Sequence, residues 1–263
     1  MSSPELFLAL NLSTRVAAVG VALSGLELLA LAPQWRPAGT FSARTVAALH
    51  SRPVALDVFD RWLKPLLLLQ IGGSLALVAL GPYALAGRLA LVLAFGATLA
   101  VRWRRKLAGD GAEQMSAIIL AAACLATLPA VGGGRVELAV IFLAAELCLA
   151  YTTSGVAKLI SPIWRSGEAL PAILSTNSHG HRNAAAFFHR FPALAFCASW
   201  GVILFECLFP LALLGPGWLL AAALLIGLSF HLANAVLMGL NSFVWAFPAV
   251  YPCVVALWWV YIR

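Results

Sequence analysis

Apolar residues fill this chain in long blocks, at roughly 16–32, 65–86, 88–101, 115–131, 136–157, 193–214, 218–238 and 243–262. A helix that crosses a bilayer needs about 20 such residues, so the pattern predicts seven or eight membrane helices. The third block holds only about 14 residues, short for a full crossing, and suggests a re-entrant segment or one coupled tightly to its neighbour. Residues 33–64 break the pattern: Pro33, Pro37 and Pro53 punctuate a stretch carrying Arg36, Arg44, Arg52, Arg61 and Lys64. Within it, Ala55 to Leu63 mixes apolar and charged positions at helical spacing, which predicts an interfacial helix at about 50–64. The second long connection, about 159–191, is rich in Ser, Pro, Gly and His and reads as a loop.

Composition sharpens this picture. Hydrophobic residues make up 62% of the 263 residues and charged ones 10%, against about 45–50% and 25% in soluble domains. The mean hydropathy is +0.94. A soluble enzyme, a disordered chain and a nucleic-acid module are thereby excluded, and a single all-α polytopic membrane domain over 1–263 is expected. The sequence opens Met-Ser-Ser-Pro-Glu, with neither a basic region nor a cleavage signal, so no removable signal peptide is expected. The five cysteines lie in apolar stretches without a Cys-x-x-Cys pair and read as buried free thiols.

The net charge of +7 would point to nucleic acid in a soluble protein. Here the cations gather between apolar blocks, where they face lipid headgroups and set topology. With eight crossings, the connections at 33–64, 102–114 and 158–192 carry 13 of the 17 Lys and Arg. The positive-inside bias then puts those connections in the cytoplasm and both ends of the chain outside. The run Arg102-Trp-Arg-Arg-Lys106 reads as a topology anchor, and Gly132-Gly-Gly134 as a turn between crossings.

Ionisable groups inside a crossing cost about 2.5–3.5 kcal/mol each on insertion scales, so they are functional candidates by default. The set is Glu27, Glu146, Glu206 and His231, with Lys158 at the end of the fifth block. His231, Asn234 and Met238 share one helical face, and Asn241 would continue that polar stripe one turn on. The stripe lines a cavity on one reading and stitches helices together on the other. A lysine in an apolar pocket lacks the water that favours an ammonium and can serve as a neutral amine base; the alternative is a lysine snorkelling from the end of a crossing. Ser178-His-Gly-His181 with His189 lacks the spacing and carboxylate of a metal site, and no metal is expected.

Two segments carry a family resemblance. Tyr151 to Leu170 reads Y-x3-G-x2-K-L-x4-W-x2-G-x-A-L, and Ser229-Phe-His-Leu-Ala-Asn-Ala235 continues through Met238-Gly239 to Phe243. Over roughly residues 15–255 this order resembles the horizontally transferred transmembrane (HTTM) domain family, which includes the membrane core of the vitamin K-dependent γ-glutamyl carboxylases and small members similar to sporulation-delaying protein B. Where the carboxylases carry an Asn-Asn-His segment, this chain reads Gly109-Asp-Gly-Ala-Glu-Gln-Met115.

The resemblance implies a membrane enzyme that uses a reduced naphthoquinone and oxygen, and the small size and Ala/Leu-rich composition point to a bacterial cytoplasmic membrane. Lys158 falls on the family's catalytic base and His231 on its active-site histidine. Glu206 and Asn234 are candidate relay or orienting groups, with Trp164 and Glu146 as further cavity-lining candidates. A peptide or small lipophilic molecule would be the substrate, and membrane lipids the surrounding partners. The alternatives are a non-catalytic maturation factor that docks a small protein or peptide through the 33–64 and 159–191 connections, and a structural subunit of a membrane complex.

Overall fold

The computed structural model describes residues 3–35, 56–105, 110–128 and 135–263, with the single positions 39, 42 and 48. Among the described residues there is no strand. Seven helices are long and apolar enough to cross a membrane by length and composition: Pro4–Ala30, Arg61–Leu80, Leu85–Arg104, Arg135–Ile160, Pro192–Leu213, Gly217–Met238 and Asn241–Tyr261. The protein is therefore a polytopic, all-α integral membrane protein. Two compact units make it up, residues 1–139 and 140–263.

The first unit holds α1 (Pro4–Ala30), α2 (Leu56–Leu80), α3 (Leu85–Arg105) and α4 (Gly111–Thr127). The helix α1 begins about three turns before the block expected at 16–32, and the reason lies at Arg15. Its guanidinium is held by Asn11 Oδ1 at 3.0 Å and by the Val78 carbonyl at the end of α2, so neither polar residue interrupts the helix. Gly81, at φ 70°, closes this corner; a Cβ there would stand 2.7 Å from the Arg15 guanidinium. The interfacial helix expected at about 50–64 does not stand apart: from Leu56 onward its residues are the first turns of α2, which runs on through Pro65; residues 50–55 lie outside the described residues.

The third block is not short, and of its two expected readings the close coupling to a neighbour holds, since α3 packs along α2. The helix α3 spans 21 residues because the flanking arginines stay helical. Arg104 is fully buried, with its guanidinium 5.3 Å from the Trp35 ring. Lys106, Gly109 and Gly132–Gly134 lie outside the described residues. Asp110 caps α4 by accepting the Glu113 N–H at 2.8 Å. Leu28, Trp35, Leu63, Leu67 and Val101 form a core where α1, α2 and α3 meet. Glu27 is on the exposed side of α1.

The boundary between the units falls within α5 (Arg135–Ile160). The second unit continues through α6 (Pro162–Arg165), α7 (Ala169–Leu174), α8 (Arg182–Arg190), α9 (Pro192–Leu213), α10 (Gly217–Met238), α11 (Asn241–Ala246) and α12 (Tyr251–Tyr261). Where the composition of 159–191 suggested a loop, three short helices stand. Proline sets the joints: Pro162 and Pro192 occupy the first turn of α6 and α9, where a missing N–H costs nothing.

The last crossing is discontinuous. Pro248 cannot donate to the preceding turn, and a 3₁₀ segment, Pro248–Val250, separates α11 from α12. Gly239, at φ 70°, ends α10, so Asn241 starts α11 and does not extend the polar stripe of His231, Asn234 and Met238. All five cysteines are free thiols; Cys253 is buried, whereas Cys197 is exposed, against the expectation of burial.

Candidate functional site in the second unit

Helix α5 presents one face to this site. At about 100° per residue, Tyr151, Gly155 and Lys158 recur at i, i+4 and i+7 and fall on one side of the helix. Gly155 is where α9 comes closest: a Cβ would stand 2.7 Å from the Cys207 amide nitrogen and 2.9 Å from Glu206 Cβ. That approach sets Lys158 against Glu206. The Lys158 ammonium donates to Glu206 Oε1 at 3.0 Å and to Oε2 at 2.7 Å. Glu206 is nearly inaccessible at 4%, and the Lys158 side chain is 18% exposed.

The chain after Lys158 completes this corner. Ser161 precedes a proline and is held in extended backbone, which ends α5 and turns the chain into α6. Trp164 thereby comes back with its ring 5.3 Å from Lys158 Nζ, within cation–π range. Gly167, at φ 84°, lies against the Phe196 backbone, and the Trp200 indole donates to the Arg165 carbonyl at 3.2 Å, so α6 is fastened to α9.

A second polar group lies roughly 10 Å along the same face of α5, two turns at 1.5 Å per residue. The Tyr151 hydroxyl meets His231 Nε2 at 2.8 Å and the Tyr251 hydroxyl at 3.2 Å. Gly227 makes the space for this meeting: a Cβ there would run into the Tyr251 hydroxyl and stand 3.2 Å from that of Tyr151. Rings surround the chain of hydrogen bonds. Phe205 and Phe209 of α9 lie 5.2 and 4.6 Å from the Tyr151 ring, and Phe247 stacks on His231 at 4.7 Å. Phe243 and Phe247, one turn apart, stack on each other, and Tyr251, past the break at Pro248, reaches Tyr151.

His231 is 1% exposed, and its Nδ1 is buried with no hydrogen-bond partner among the described residues. A buried orphan of this kind is rare and calls for a reason. Ser199 Oγ, also fully buried on α9, is a second one.

The candidates named from the sequence thus divide. Lys158, Glu206 and Trp164 come together, and His231 joins Tyr151 and Tyr251. Asn234 is half-buried next to this group, and its carbonyl receives the Leu240 N–H at 3.3 Å as part of the end of α10. Glu146 is half-buried and lies roughly 120–140° around α5 from Lys158 and Tyr151, off the site face. The histidines of 178–189 have structural work: His181 Nδ1 caps α8 by accepting the Ala184 N–H at 3.2 Å, and His189 stands 3.4 Å from Ser175 Oγ. Among the described residues no three His, Cys, Asp or Glu come together as a metal site would need.

Sequence reasoning passed over Tyr151 as a functional residue, along with Tyr251, Gly155 and Gly227. Tyr151 could have been found from its i+7 relation to Lys158. Tyr251, 100 positions away, carries no local signal. Compared with known protein families, with characterised proteins and with solved structures, this chain matches none.

Proposed function

We propose that this protein is an HTTM-type enzyme of a bacterial cytoplasmic membrane, acting on a reduced quinone and oxygen in the manner of the carboxylases, with a peptide or small lipophilic molecule as acceptor. One observation carries the reading: an ion pair, Lys158–Glu206 at 2.7 Å, inside two membrane helices and on the same face as a ring-lined Tyr251–Tyr151–His231 chain. A charged group at the centre of a crossing costs about 2.5–3.5 kcal/mol to insert, and less near an end, where Lys158 stands; a buried pair is often replaceable by apolar side chains without loss of stability. Chemistry gives a reason to keep it.

A quinol would take the orphaned Nδ1 of His231 as the hydrogen-bond partner of a ring oxygen; that nitrogen is fully buried and Phe230, Phe243 and Phe247 already pack on the imidazole, so a ring has to move aside to admit it. A bound quinol would supply the reducing equivalents for oxygen. The chain's own residues hold protons and exclude water. Transfer of one proton from the Lys158 ammonium to Glu206 leaves a neutral amine and a neutral acid, 2.7–3.0 Å apart. The amine can then accept a proton from a substrate hydroxyl.

The test is turnover of a reduced naphthoquinone by the purified protein in detergent, with epoxide and quinone read by mass spectrometry. Epoxide formation that falls at least 100-fold in Lys158→Met and in Lys158→Arg is expected, because a guanidinium does not give up its proton. No epoxide from the wild-type protein, together with no bound quinone, overturns the reading. A second reading rests on Glu206, whose two oxygens are both taken by Lys158: the pair is a staple between α5 and α9 in a non-catalytic subunit or maturation factor.

A further inference from the structure

The geometry points to a binding face for anionic phospholipid on α8, made by Arg182 and Arg190 with Phe187 and Phe191. The neighbouring crossing fixes where α8 lies. Arg190 ends the helix and Pro192 starts a membrane crossing, so a single residue, Phe191, separates α8 from the bilayer-spanning segment. A helix so placed must lie at the membrane boundary.

The sequence of α8 is divided accordingly. At about 100° per residue, Arg182, Asn183, Ala186, His189 and Arg190 share one side, and Ala184, Ala185, Phe187 and Phe188 the other. The inward contacts are already spoken for: Ala185 is buried, His189 reaches Ser175 at the end of α7, and His181 caps the first turn. What remains outward is Phe187 at 46% and Phe191 at 43% exposure, with rings 5.1 Å apart, beside the exposed Arg190; Arg182, also exposed, stands about 140° around the helix from Phe187. The Arg190 guanidinium stands 5.6 Å from the Phe191 ring, so charge and apolar surface form one patch.

Two exposed phenylalanines flanked by arginines are the composition of a helix seated at the headgroup–acyl boundary. Charge selects the lipid. Between residues 161 and 191 the only acid is Glu168, against Arg165, Arg182 and Arg190. Neither Arg182 nor Arg190 has an ion-pair partner among the described residues. Counted with eight crossings, the charge bias of the whole chain places this connection on the cytoplasmic side, where the leaflet carries anionic lipid. The face is thus complementary to a phosphate-bearing, negatively charged headgroup with its acyl chains against Phe187 and Phe191. It is independent of the chemistry at Lys158.

Hydrogen–deuterium exchange of the full protein in nanodiscs tests this directly. The amides of residues 183–190 should exchange up to roughly 25-fold more slowly in discs containing phosphatidylglycerol than in pure phosphatidylcholine, since each of the two cations near an anionic surface contributes about fivefold. The variant Arg182→Gln/Arg190→Gln should show the same rate in both lipids. Arg182→Lys/Arg190→Lys should keep the slowing, because attraction to the headgroups acts through charge. Equal wild-type rates in the two lipids, slowing that survives in the glutamine variant, or slowing lost in the lysine variant would each overturn the proposal. Equal wild-type rates would leave an acidic segment of a partner protein as the alternative occupant.

Discussion

At Gly155 a single hydrogen atom decides how close two membrane helices come. With no water to expel between helices in lipid, their association depends on close packing, and small residues at the crossing allow it. A methyl group at Gly155 would meet backbone, the Cys207 nitrogen at 2.7 Å, and backbone cannot turn aside. Gly155→Ala should therefore lower stability by about 1–3 kcal/mol. Gly201→Ala on α9, where a Cβ meets nothing within 4 Å, should be neutral or slightly stabilising. Thermal unfolding of the two variants in the same detergent makes the comparison. The ion pair gives a second residue-scale prediction. Glu206→Gln leaves the Lys158 ammonium without its counter-charge and should cost about 3 kcal/mol, whereas Lys158→Met/Glu206→Leu should recover most of that loss. Recovered stability with no turnover supports a catalytic pair; recovered stability with unimpaired biological function supports the staple.

Among the elements, the discontinuous last crossing does most to shape the site. The proline at 248 divides α11 from α12, and the division turns Tyr251 toward Tyr151 while Phe243 and Phe247 face His231. Pro248→Ala restores a backbone donor and favours a straight helix, which would carry Tyr251 away from its partner. Tyr251→Phe should cost about 1 kcal/mol in the wild-type protein and little in the Pro248→Ala background. A double-mutant cycle by thermal unfolding reads that coupling. The region 159–191 teaches the converse. Its Ser, Pro, Gly and His content reads as loop, yet the prolines sit at first turns and the histidines cap or brace helices. Composition alone cannot tell a helix start from a loop, because the same residues serve both.

On the scale of the molecule, the number of crossings fixes which faces the two ends occupy. Seven helices are long and apolar enough, and α4 adds 17 residues of apolar helix packed against α1 and α3. Only residues 106–110 connect α3 to α4, and helices that pack across so short a connection run antiparallel. At about 1.5 Å per residue α4 reaches roughly 25 Å, near the hydrocarbon thickness. Eight crossings are expected, and reporters fused before residue 3 and after residue 263 should lie on the same face of the membrane; opposite faces would mean that α4 does not cross. The class of the protein, its crossings to within a turn or three, and the candidacy of Lys158, Glu206 and His231 were all legible in the amino-acid order. Those features are local, since apolar length is a property of a contiguous segment and an ionisable residue stands out against it. The partners of those residues were not legible there. Lys158 finds Glu206 across 48 positions and His231 finds Tyr151 across 80, and both pairings depend on where glycines admit a neighbouring backbone or hydroxyl. Helices that are apolar on nearly every side carry no stripe to announce which face meets which neighbour, so that choice is written only in the packed structure.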